Sequence, residues 1–297
     1  MYLGLDLGTS GVKALLIDEA QNPVGAAHGE LDVSRPHPGW SEQDPAQWIK
    51  ACRTAIEALR AAHPKEFSAI TGIGLSGQMH GATLLDAEDR VLRPCILWND
   101  TRSYREAAEL DADPAFRAIT GNTVFPSFTA PKLVWVARNE ADIFARIRKV
   151  LLPKDYLRLW LTGEYISDMS DSAGTSWLDT GARRWSAELL AKTGLGEGQM
   201  PQLVEGSEAA GCLRAELAAE WSLTASVIVA GGAGGSRLRH GHGQARPCLR
   251  FTWHFGRAFR CQWRLPAKTG KCGPCLLPRP APHMAPDGRY PVCGKRA

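Results

Sequence analysis

Two apolar runs with a polar turn between them open the chain. Residues 1–7 (MYLGLDL) are apolar except for one carboxylate, Asp6; Gly8-Thr9-Ser10-Gly11 follows, and a second apolar run leads away through residue 17. The pattern predicts a β-hairpin with both strands largely buried. Residues 23–33 predict another strand, and residues 34–43 a loop rich in turn formers. Asp44-Pro45 then reads as a helix N-cap with proline at the first helical position. Trp48, Ile49, Cys52, Ala55, Ile56 and Leu59 recur at helical spacing and predict its buried face, with Cys52 an inert core thiol. Further strands are expected at 69–75, 82–86, 95–98, 149–152 and 226–230. Helices are expected at 103–110, 114–119, 131–147, 155–161, 185–192 and 213–220, and 170–175 reads as a polar turn. The mixture is that of an α/β fold.

The first turn carries candidate chemistry. Gly8 and Gly11 permit backbone N–H groups to close around an anion, Thr9 and Ser10 add hydroxyls, and Lys13 adds a positive charge. Asp6, at a strand end, is placed to hold a hydrated divalent cation beside a phosphate. An ordinary hairpin with an incidental Asp fits the same residues. Open α/β sheets meet ligands at the carboxyl ends of their strands, which draws in Gln78-Met79-His80 and Trp98-Asn99-Asp100, whose polar groups suit a polyol. A structural hydrogen-bonding role for His80 and a core-capping role for Trp98 are the plainer alternatives.

Composition changes this picture in one place. At 297 residues, 44% of them apolar, the chain has material for one large or two ordinary domains. It enters a strand directly, without a secretion signal or a membrane-length apolar run, so the expectation is cytoplasmic and not membrane-bound. The net charge of +4 conceals two dissimilar parts. Residues 236–297 hold ten Arg, three Lys and a single acid, Asp287, a net of +12, which leaves the first 235 residues at −8. The same tail holds five of the eight cysteines and eight of the nineteen prolines. So sharp a jump marks a separate domain or a segment of different origin.

The first 234 residues resemble the FGGY carbohydrate kinases, in the branch that phosphorylates D-xylulose. The resemblance is carried, in order, by residues 1–13, 34–38, 40–45 (WSEQDP), 77–86 (GQMHGATLLD), 92–100, 128–133 (FTAPKL), 150–158 (VLLPKDYLR) and 167–171 (SDMSD). It implies a ribonuclease-H-like, actin-like ATPase fold of two α/β domains closing over a cleft, of which residues 1–235 are the first, sugar-binding domain. It implies ATP and Mg as cofactors, with Asp6 the catalytic, Mg-associated carboxylate acting through water, and Gly8, Thr9, Ser10 and Lys13 approaching the phosphates. Met79 and His80 are implied as xylulose contacts, with Trp98 and Asp100 beside them. The implied reaction is phosphoryl transfer from ATP to the terminal hydroxyl of D-xylulose, with a homodimer expected of intact members and no nucleic-acid or membrane partner. A kinase for another ketopentose or polyol is the alternative.

That chemistry needs a base, which in the family is an Asp directly after the glycine run. Here the run Gly231-Gly232-Ala233-Gly234 is followed by Gly235. The tail explains the loss. Residues 239–244, taken as CGN-CAY-GGN-CAY-GGN-CAR and read one nucleotide later, permit Gly-Met-Gly-Thr-Val. Residues 251–256, shifted alike, permit Ser-Leu-Gly-Thr-Ser-Gly, the family's second phosphate motif. The expectation is therefore a frameshift product without a packed core over 236–297, on a truncated and inactive sugar-binding remnant. The competing reading, a zinc or nucleic-acid module built on Cys272, Cys275, His240 and His242, lacks a four-ligand spacing and any amphipathic period.

Overall fold

Strands β1 (Tyr2–Leu7), β2 (Gly11–Ile17) and β3 (Pro23–Glu30) form an antiparallel meander, and β4 (Gly72–Gly77) joins β1 in parallel. The computed structural model describes residues 1–234, 248–252 and 260–264. Three more strands complete the main sheet: β5 (Ala209–Cys212), β6 (Ile228–Ala230) and β7 (Ala233–Gly234). The order is β5-β6-β4-β1-β2-β3, with β7 continuing beside β4 where β6 has ended. Three antiparallel strands followed by the parallel β4, β6 and β7, with β5 antiparallel to β6 at the edge, meet the ribonuclease-H-like expectation.

The hairpin strands are largely buried, with inward and outward positions alternating. Leu3, Leu5, Leu7, Val12, Ala14 and Leu16 point into the core, while Asp6 and Lys13 share the other face as register partners. Helix α1 (Pro45–Ala62) covers the core face, its first turn capped by the Asp44 carboxylate accepting from the Ala46 N–H at 3.0 Å. It rides directly on β3: a Cβ on Gly29 would lie 2.3 Å from the Ala51 carbonyl oxygen. Trp48, Cys52, Ala55, Ile56 and Leu59 are buried there, and burial pushes the Cys52 thiol up to about 12, which keeps it inert.

A second hydrophobic core belongs to the segment between β4 and β5 and gathers Leu84, Ile96, Phe116, Leu133, Val136, Val150, Trp177 and Leu190. Helices α2 (Thr129–Asn139) and α3 (Pro153–Thr162) lie in this segment; α2 belongs to its core, while α3 sends Leu157 and Leu161 into the sheet core. The single helix expected at 131–147 is instead α2 and a separate Ala141–Arg146. The break is at Glu140, whose backbone leaves the helical region (φ −137°, ψ 55°) and whose carboxylate pairs with Arg93 at 2.8 Å. The turn expected at 170–175 is a short helix, Met169–Ser172, running into a 3-10 turn. Asp168 caps it, accepting from the Ser170 and Asp171 N–H groups at 3.0 and 3.1 Å. Short strands such as Ile166–Asp168 and Gln202–Val204, which pair in parallel, were not expected from the pattern. Cys248–Thr252 pairs antiparallel with Arg260–Arg264, also unanticipated; Gly235 and the rest of 236–297 lie outside the described residues.

Candidate active site

The parallel strands β1, β4 and β7 end together, and the polar residues gather at that edge. Asp6 sits in register with Ser76 on β4 and with Lys13 on β2, and Ser76 is in register with Ala233 on β7. The Ser76 hydroxyl donates to Asp6 Oδ1 at 2.7 Å and fixes the half-buried carboxylate. Gly234 lies beside Gly77, so the glycine run arrives at the same edge as Asp6. In the turn, the Gly8 N–H donates to the Gly11 carbonyl at 2.9 Å. The Gly8 N–H thus closes the turn that the two glycines bracket. Thr9 is half-buried, whereas Ser10 and Lys13 are exposed on this rim.

Thr9 is the hub of a hydrogen-bond relay. Its hydroxyl accepts from Trp98 Nε1 at 3.0 Å and donates to Gln78 Oε1 at 3.2 Å. Gln78 Nε2 in turn donates to Gln43 Oε1 at 2.9 Å, which also accepts from Trp48 Nε1 at 3.0 Å. Gln43 Nε2 donates to the carbonyls of Thr9 and Asp32 at 2.7 and 3.1 Å. The buried Gln43 amide thus fixes the turn from below, while Trp98, 38% exposed, fixes it from the rim. The relay joins the hairpin turn to the 78–80 segment.

Met79 and His80 lie just beyond β4, after Gln78, and are half-buried at this edge. His80 adopts the left-handed conformation (φ +65°), which costs a residue with a side chain. Its ring is wedged against Gly174, where a Cβ would lie 2.2 Å from Cε1, and stands 4.7 Å from the Phe128 ring. Burial, then the nearby Lys132 charge, lower its pKa to about 3. Asp100 is placed differently from its neighbour Trp98. It is buried, accepts from the Ser41 N–H at 2.6 Å, and takes Arg102 on both oxygens at 2.9 and 2.7 Å, so it braces the wall behind the site.

Beneath the edge is a charge cluster that the sequence reading did not single out. Lys154 Nζ meets Asp155, Asp168 and Asp171 at 2.6, 2.8 and 3.3 Å, and all four side chains are buried. Arg158 pairs with Asp155 at 2.7 Å and donates to the carbonyls of Ile166 and Gly231. The cluster ties α3 and the Met169–Ser172 helix to the start of the glycine run. Burial would depress Lys154, but its three carboxylates outweigh that and raise it. Asp171 is pushed up to about 7, by burial first and then, against the pull of Lys154, by Asp168 and Asp155. Gln43, Lys132 and this cluster all fall within the stretches that carry the resemblance. Lys154, Asp155 and Arg158 inside an otherwise apolar helix were the available signal.

Comparison with known proteins agrees with this architecture. A family model described as the FGGY family of carbohydrate kinases, N-terminal domain, matches residues 1–238. The xylulose kinase of Escherichia coli (strain K12) is 55% identical over 233 residues, 78% of this chain and 48% of that protein. Among solved structures, a xyloylose kinase from Brucella ovis is 99% identical with a TM-score of 0.78, over 79% of this chain and 48% of the other. The xylulose kinase from Rhodospirillum rubrum is 33% identical with a TM-score of 0.75, covering 78% and 48%. The chain spans about half the length of the relatives it matches. With the sheet, the strand-end carboxylate and the glycine run in place, the chain belongs to the FGGY family of carbohydrate kinases, of which it carries the N-terminal domain.

Proposed function

We propose that this domain binds D-xylulose for phosphorylation by ATP at its terminal hydroxyl, and that the chain as given, with Gly235 after its glycine run, binds the sugar without turning it over. The observation that supports this most is the relay from Trp98 through Thr9 to Gln78, which makes the hairpin turn and the Met79-His80 segment one rigid surface. A kinase has to hold a phosphoryl donor and an acceptor hydroxyl in line, and a shared hydrogen-bond network transmits the placement of one to the other. Met79, His80 and Trp98 contact the sugar; Asp100 acts through Arg102 and Ser41. Thr9, Ser10 and Lys13 face the phosphates, with Gly8 shaping the turn.

Asp6 fits a hydrated magnesium ion. Mg²⁺ keeps several waters and takes one or two carboxylates with phosphate oxygens, so one strand-end carboxylate beside a phosphate turn suffices. When bound, the ion neutralises charge on the transferred phosphoryl group. Ser76 orients the carboxylate toward that task. Residues 236–297 are proposed as a frameshift product, with a carboxylate at the position of Gly235 in the intact protein serving as base.

The test measures ADP release with D-xylulose by the chain as given, by Gly235→Asp, and by a frame-restored full-length protein. Only the last should turn over, while the chain as given should still bind D-xylulose by calorimetry and lose that binding on His80→Ala. Sugar-dependent turnover by the unmodified chain at the restored protein's rate would reject the reading.

A further inference from the structure

Lys132 is fully buried on α2, and its ammonium contacts no carboxylate among the described residues. Among the described residues it donates to two main-chain oxygens: the carbonyl of His80 at 2.9 Å and that of Ser127. Thr129 Oγ1 donates to the same His80 carbonyl at 3.2 Å. A buried ammonium is expensive, and an apolar side chain of similar length would pack the same slot at no such cost. The carbonyl it holds belongs to a residue whose left-handed backbone needs an outside constraint to persist. Two donors converge on that one oxygen, and the imidazole beyond it is pressed between Gly174 and Phe128.

We propose that Lys132 is the positioning residue of the sugar site: its ammonium clamps the His80 and Ser127 carbonyls, and so holds the His80 imidazole at the carboxyl end of β4 in the one orientation that meets the sugar. The proposal rests on the sugar-site reading above and adds to it the group that builds the site. Lys132 also sets the chemistry of the imidazole. Burial and then the Lys132 charge keep His80 neutral; its Nδ1 is buried on the Gly174 side, which leaves Nε2 as the ring nitrogen for a sugar hydroxyl. Burial lowers Lys132 itself to about 7, with Cys95 and Asp100 pulling upward against it and Arg102 pushing further down.

The experiment uses the full chain in four forms: wild type, His80→Ala, Lys132→Met and Thr129→Val. D-xylulose affinity is measured by calorimetry, and the His80 Cα and ring signals of histidine-labelled protein are recorded by NMR at pH 6, below the Lys132 value of about 7. Lys132→Met should weaken D-xylulose binding about tenfold or more, the loss of a charge-assisted hydrogen bond. It should also move the His80 Cα and ring signals away from those of the left-handed wild-type conformation, which loss of packing elsewhere would not do. Affinity and His80 signals equal to wild type in Lys132→Met would overturn the proposal. If wild type itself binds no D-xylulose, the sugar-site reading fails. The clamp is then judged on the NMR signals alone: altered in Lys132→Met they support it, unaltered they reject it. Should Lys132→Met not fold, Thr129→Val decides, because it removes the second donor to the same carbonyl in a nearly isosteric way; unchanged His80 signals there would overturn the proposal.

Discussion

Replacing Asp171 with Asn should stabilise the chain in base and leave it almost unaffected in acid. Lys154 and Arg158 face three carboxylates in one dry cluster, so the third carboxylate is the one short of compensation. Burial and the neighbouring Asp168 and Asp155 lift Asp171 from 3.8 to about 7. A group whose folded pKa is raised stabilises the fold fully below its unfolded pKa and loses that contribution as pH rises through the folded value. For Asp171 the window runs from about pH 4 to pH 7, and the whole shift corresponds to about 4 kcal/mol. At pH 5 little more than one unit of it has been lost on the acid side, so between pH 5 and pH 8 the wild type should fall by about 3 kcal/mol relative to Asp171→Asn. Urea unfolding of both proteins at the two pH values measures this double difference, in which titrations common to both cancel. Parallel pH profiles, or a variant that is less stable by the same amount at both values, would refute the reasoning. They would show Asp171 ionised and fully held by Lys154.

Gln43→Ala should cost about 3 kcal/mol or more in urea unfolding, because it strands the Trp48 and Gln78 donors and two main-chain carbonyls in a buried site; a loss below about 1 kcal/mol would mean the relay is not held from below. Trp98→Phe removes the rim donor to Thr9 while keeping an aromatic face, so stability should change by less than about 1 kcal/mol while D-xylulose binding, read by calorimetry, weakens about fivefold. Wild-type affinity in Trp98→Phe would uncouple the turn from the sugar side.

Local pattern alone determined the opening hairpin, the start and buried face of α1, and the placement of Asp6 at a strand end, because each rests on short-range signals: alternation, an N-cap with proline, glycines around a turn. Residue identity in order along the chain also determined the family, and with it the candidates Met79, His80 and Trp98. What only the tertiary structure decided are the relations between distant residues. Asp6, Ser76 and Ala233 are in register because β1, β4 and β7 run side by side, although more than two hundred residues separate the first from the last. Periodicity sees a run of three residues as nothing, so Ile166–Asp168 was invisible, and with it the reason Asp168 and Asp171 are buried. Charged residues read as surface until a partner is brought to them. Lys132 and Arg158 are interior because folding delivers the carbonyls of His80 and Gly231 to their tips, while Asp100 is buried because Arg102 and the Ser41 N–H satisfy its oxygens there.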